Sequence, residues 1–345
     1  MKGKKHLVIG LIGGLLVGLQ VSAQPDMHFS QFSFSPSTLN PATTGVIDGL
    51  WRVNLNYKDQ WRNISAPFTT FGGSFDMPFL RDKISDGALA FGVAFFNDKA
   101  GDLDYATNSF TLSLAANKSI DKRNNFSLGL SGGFGSRGLS ADAGKQEWDS
   151  QYQQGSGYNG NLSSQESSKV ENFVYGDFNA GLLWRYEKEK FKFHTGFSVF
   201  HINSPKLTFY KSSEKLDPRL VFHGGSQIGL KGKAIYFLPQ YLFMMQGNQL
   251  ENNAGLLVKY LLREGSRYTG NVEEVAVYIG GWYRFGDAAI ANVRLDFKSF
   301  SVGVSYDFNL SNLKVASDGR GGVEFSLSYT QQLPPAVRTK RRSLM

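Results

Sequence analysis

Cysteine is absent from the 345 residues, which excludes disulfides, thiol catalysis and thiolate metal sites together. Beyond residue 23 there is no run of about 20 apolar residues, so a membrane protein built on spanning helices is excluded as well. Net charge is missing where it would matter. The formal +8 arises at the ends, from Lys2, Lys4 and Lys5 and from Arg338, Lys340, Arg341 and Arg342. Between them 30 bases face 29 acids, which gives no basic surface for nucleic acid. The five histidines (His6, His28, His194, His201 and His223) show no H-E-x-x-H or other close ligand spacing, and no carboxylate pair stands out. No enzyme, metal or cofactor is expected.

What is present begins with an export signal. Lys2, Lys4 and Lys5 precede "HLVIGLIGGLLVGL", and "VSA" before Gln24 is a small-residue cleavage site. Residues 1–23 are therefore expected to be removed, leaving an exported fold that must close a sheet or build a large core without disulfides.

From there the pattern has period two. In "FSVGVSYDFNL", Phe300, Val302, Val304, Tyr306, Phe308 and Leu310 share one face, and Ser301, Gly303, Ser305, Asp307 and Asn309 the other. "VEFSLSYT", "NFSLGLSGG" and "SFTLSLAAN" repeat it. About fourteen such segments are expected, near 51–61, 68–77, 87–98, 105–120, 125–138, 172–187, 191–202, 220–232, 234–248, 252–264, 273–286, 288–299, 300–312 and 321–333. Many are long enough to cross a bilayer when tilted.

Alternation alone does not say which way the apolar face points: inward in a soluble sandwich, outward in a membrane barrel. The export signal, the even strand number and the 14% aromatic content favour an all-β transmembrane outer-membrane barrel of about 14 antiparallel strands. Trp51, Trp61, Tyr105, Trp184, Tyr186, Trp282, Tyr283 and Tyr329 lie near strand ends, where girdles against outer-membrane lipid belong. Arg294, Asp296, Lys298, Asp307 and Glu324 would then line the lumen. With the first strand leaving the periplasm, the two longest connections, 139–171 and 203–218, fall outside the cell.

Two formal motifs carry no chemistry here. "GLSGG" matches the nucleophile elbow and "GGFGSRG" a dinucleotide fingerprint, but both lie within a strand with no helix after it. Glycine there allows close packing at the barrel wall.

The segment "HFSQFSFSPSTLNPATTG", His28 to Gly45, has no charged residue and fits neither period. Its Phe29, Phe32 and Phe34 cannot rest in water, and the turn at Asn40-Pro41 cannot rest in lipid. It is expected to pack at the barrel's periplasmic mouth or against a partner. Residues 24–50 thus read as a periplasmic, plug-like segment, 51–333 as the barrel, and 334–345 as a basic periplasmic tail. Both ends of the mature chain are placed in the periplasm. Candidate partner-binding residues are His28, Phe29, Gln31, Phe32, Phe34, Asn40, Pro41 and Gly45, together with Arg338, Lys340, Arg341 and Arg342 in the tail.

This segment, with "RVNLNYKDQW", "PFTTFGGSFDMPF", "GGWYRFGDA", "VGVSYDFNLSNL" and "GGVEFSLSY", resembles the PorP/SprF family of the type IX secretion system of Bacteroidetes. The matching N-terminal residues are Phe29, Ser30, Gln31, Phe32, Asn40, Pro41, Ala42, Gly45, Tyr57, Gln60, Trp61 and Asp76. The resemblance implies an outer-membrane barrel working with periplasmic ring and lipoprotein components, and with secreted cargo such as gliding-type adhesins. Alternatives from other classes are a passive pore for small solutes and a secreted soluble β-sandwich adhesin.

Overall fold

The fold is described from a computed structural model, over residues 26–62, 67–81, 84–101, 105–138, 149–153, 155, 157–163, 173–207, 214–264, 274–311 and 314–333. The expected signal and the tail residues Arg338, Lys340, Arg341 and Arg342 lie outside the described residues.

Fourteen strands close a barrel: β1 (Gly49–Gln60), β2 (Phe68–Phe79), β3 (Gly87–Ala100), β4 (Tyr105–Ser119), β5 (Asn124–Gly138), β6 (Phe173–Lys188), β7 (Phe191–Phe200), β8 (Arg219–Gly229), β9 (Ile235–Gln246), β10 (Gln249–Arg263), β11 (Val275–Arg284), β12 (Ala288–Phe297), β13 (Phe300–Asn309) and β14 (Arg320–Gln332). Each pairs antiparallel with its neighbours in sequence, and β1 pairs with β14 to complete the circle. Every strand boundary lies within three residues of the expected one.

The apolar face points outward. Phe300, Val302, Val304 and Phe308 are exposed on β13, whereas Gly303, Ser305, Asp307 and Asn309 are buried inside. Lipid, not water, is the medium that makes this alternation favourable. Five aromatic contacts join Trp51, Phe75, Tyr329, Phe300, Phe126, Trp184 and Phe193 into belts on the outer face near one rim, with Trp51 and Tyr329 centroids 5.1 Å apart. At that rim the described turns are short, and Gly49 enters and Leu333 leaves there. The other rim carries the connections 139–172 and 201–218, each holding a two-residue ribbon, Tyr152–Gln153 with Gly157–Tyr158 and Lys206–Leu207 with Glu214–Lys215. These are called the turn rim and the loop rim.

Two expectations about the wall are corrected. Trp282 is not in a girdle: it alternates with Tyr278 and Arg284 on the inner face and is buried there. Lys298 does not line the lumen, because it sits exposed in the two-residue turn between β12 and β13, over the Phe297 ring.

Candidate functional site

The lumen is occupied by the chain's own N-terminal segment, which runs as a strap from Asp26 at the loop rim to Gly49 at the turn rim. Its prolines break it into single turns, Phe32–Phe34, Pro36–Leu39 and Pro41–Thr43. Such backbone leaves many polar groups unpaired, and the inner wall satisfies them.

In the half of the lumen nearer the loop rim, the Glu324 carboxylate accepts hydrogen bonds from the Ser30 N–H at 2.7 Å and the Gln31 N–H at 3.0 Å. The Gln31 side chain donates to the Glu324 carbonyl (3.1 Å) and accepts from Asn292 (2.9 Å). Ser30 Oγ donates to Asp307 and accepts from Arg284, whose guanidinium also reaches Asp307 and Asp287. Lys58 Nζ donates to the His28 carbonyl at 3.2 Å. Charges this deeply buried are tolerable only when paired or hydrogen-bonded: Arg284 is paired with Asp307 and Asp287, whereas Glu324 and Lys58 are held by bonds to the strap backbone.

Further along, Asn40 is wholly buried. Its Oδ1 accepts the Ala42 N–H (2.8 Å), capping the last turn, and its Nδ2 reaches the Leu182 carbonyl (2.8 Å) and His223 Nε2 (3.2 Å). Gly181 leaves the room for it, since a Cβ there would stand 1.9 Å from Asn40 Oδ1. Gly129, in the formal elbow motif, does the same for Pro41 and Ala42, and Gly303 for Gln31. The strap leaves the lumen at Gly45, whose φ of +68° and contact with Ala90 admit no side chain. The Gly45 N–H donates to Asp76, which a two-pronged bond to Arg52 holds in place.

The three phenylalanines are buried to 2%, 6% and 3% exposure at Phe29, Phe32 and Phe34. Phe32 packs on Trp282 at 5.5 Å and, with Leu39, joins Val221, Leu242, Met244 and Leu257 in an apolar core inside the barrel. Phe29 meets Phe96, and the Arg294 guanidinium stacks on Phe34 at 5.0 Å. The expectation of packing at the periplasmic mouth or on a partner is therefore corrected. A lumen lined partly by apolar side chains offers the burial that neither water nor a rim could. His28, Gln31, Asn40 and Pro41 share this interior and contact the wall rather than a free surface.

At the loop rim Asp26 accepts from Arg137 (2.8 Å) and His201 Nε2 (2.6 Å), and exchanges two bonds with Gln246 (both 3.1 Å). His201 Nδ1 bonds Asp177 at 2.8 Å. Burial pushes the Asp26 carboxyl up, but the His201 bond and the charges of His201, Arg219 and Arg137 hold it well below the carboxylate range. Burial opposes charge on His201, yet its bonds to Asp177 and Asp26 leave it raised. Asp26 and Leu333 thus mark opposite rims. The strap spans the barrel's height before β1 begins, and the two ends of the mature chain, both expected in the periplasm, lie outside the described residues. Beside this latch of Asp26 with Arg137, His201 and Gln246, a cavity of about 440 Å³ opens among Asp26, Lys58, Asp98, Tyr175 and Arg219.

Sequence reasoning missed Asp26 as an anchor of the strap and His223 and Arg284 as its wall partners. A signal existed in β9, "IYFLPQYLFMMQ", whose inner face carries Leu238, Leu242 and Met244 between Gln240 and Gln246 and so had to meet something apolar inside.

No curated protein matches the chain. Solved structures resemble it in fold at low identity. The toluene transporter TbuX of Ralstonia pickettii shares 10% identity over 86% of this chain and 92% of its own, with a TM-score of 0.49. The P. putida toluene transporter TodX shares 10% (85% and 92%, TM-score 0.45), and a Pseudomonas aeruginosa FadL homologue 12% (85% and 92%, TM-score 0.42). The family model of the type IX secretion system membrane protein PorP/SprF matches residues 21–329. This outer-membrane β-barrel belongs to the PorP/SprF family of type IX secretion system membrane proteins.

Proposed function

We propose that this protein is a non-enzymatic, strap-closed barrel that supports type IX secretion and surface attachment of cargo, such as gliding-type adhesins, through protein–protein contacts. The observation that carries this reading is the strap. A lumen crossed from rim to rim by a bonded, buried segment suits an anchor better than a conduit. The loop rim, with the connections 139–172 and 201–218, would face outward toward cargo. The turn rim and the basic tail at 334–345 would face the periplasmic ring and lipoprotein components.

The second reading, a pore for small solutes, is favoured by the cavity at the loop rim. A deletion strain separates the two. Cells lacking the protein should lose surface-attached cargo while uptake of small solutes stays unchanged. Normal cargo display with reduced solute uptake would overturn the proposal.

A further inference from the structure

Thirteen of the fourteen strand pairs join neighbours in sequence, and only β1 with β14 joins strands from opposite ends of the chain. That pair closes the barrel and carries the largest loop-closure cost, so it is the natural last step of assembly. Its register must also be right, because a slip of one residue would turn every lumenal side chain toward lipid.

The strap lies across this seam. Lys58 of β1 and Glu324 of β14 face each other in register. Lys58 holds the His28 carbonyl, while the Glu324 carboxylate takes the Ser30 and Gln31 N–H groups and its carbonyl takes the Gln31 amide. Four consecutive strap residues therefore contain the groups that bridge the two closing strands, and they fit both strands only when Lys58 and Glu324 are opposite. The strap also fills the barrel's height. Passing Asp26 through a closed lumen would drag a carboxylate past fully buried positions, whereas laying the strap down before closure avoids that step.

We propose that residues 28–31 are a clasp that sets the register of the β1–β14 seam and locks it, the strap docking before the barrel closes. This role is independent of what the barrel serves in secretion.

The test uses the full chain and its lack of native cysteine. Glu324→Gln keeps the side chain's shape but presents an amide N–H₂ to a backbone N–H, removing one acceptor and adding a donor clash. It should lower the temperature of the heat-induced gel mobility shift by ~5 °C or more. Asn56→Cys with Ser326→Cys, an in-register seam pair whose side chains bond each other, should when oxidised restore most of that loss. Ser113→Cys with Ser131→Cys, in register between β4 and β5, should not. Should Glu324→Gln alone fail to assemble, recovery of folded barrel by the oxidised seam pair but not by the control pair is the equivalent result. An unchanged midpoint in Glu324→Gln, or rescue by both cross-links or by neither, would overturn the proposal.

Discussion

Replacing Gly181 by alanine should displace the strap while leaving the strands paired. The built Cβ stands 1.9 Å from Asn40 Oδ1, and ordinary contact begins at 3.4 Å, so Asn40 must retreat by about 1.5 Å. A retreat of that size breaks the bonds from Asn40 to the Leu182 carbonyl and His223, and strains the one between Ser198 and the Leu39 carbonyl. Overpacking costs about 1–3 kcal/mol and each lost bond about 1 kcal/mol, so the strap's docking should weaken by roughly 3 kcal/mol or more. Gly176→Ala is the control on the same strand, because a Cβ there meets nothing within 4 Å. In planar bilayers Gly181→Ala should raise single-channel conductance and in gels lower the mobility-shift temperature, with Gly176→Ala matching the parent. Adding Asn40→Ala removes the clashing oxygen, so the double variant should be less damaged than the two single effects summed. If Gly181→Ala behaves like Gly176→Ala, or the two changes add, the packing argument fails.

Phe32→Ala should destabilise the barrel by about 3–5 kcal/mol, since it empties the centre of the lumenal core, and thermal mobility shifts would read it. Changing Phe29, Phe32 and Phe34 together to Ser should impair assembly itself; intact insertion with only partner recovery lost would return them to a recognition role. The latch has a pH window. His201, raised in the fold, contributes fully below about 6.5 and loses that contribution as pH rises through its folded value; Asp26, depressed, contributes above about 3.9 and loses it as pH falls through its folded value. Protection of the amides at residues 26–29, taken relative to their intrinsic exchange rate at each pH, should therefore fall on alkalinisation but stay constant between pH 6.5 and 5, and Asp26→Asn should flatten the profile. An epitope near Gly157 should be reached on intact cells, whereas access only after envelope rupture would reverse the topology.

The barrel was legible because its physics is local. Two-residue alternation, read against lipid, needs no tertiary knowledge to place Phe300 outward and Asp307 inward. The errors came where alternation meets a turn or an unrecognised interior. Alternation puts Lys298 on the lumenal face, yet the turn begins at it with φ of +57°. Residue type alone points Trp282 to a girdle, although its own period-two partners, Tyr278 and Arg284, put it inside.

The strap was legible only as a problem: three phenylalanines and two prolines with nowhere to go. Its solution depends on partners as far off in sequence as Glu324, which no local pattern connects to Ser30. Two separate peculiarities in the sequence were halves of one fact. β9 turns Leu238, Leu242 and Met244 inward although a watery lumen should have made that face polar, and the N-terminal segment is apolar although nothing near it in sequence could bury it. Each violates its own local rule, and each supplies what the other lacks. An outer-membrane strand that fails to alternate is therefore evidence for an occupant of the lumen. A non-periodic aromatic segment beside the first strand is the first place to look for it, since a short tether lets it reach the interior before the seam closes.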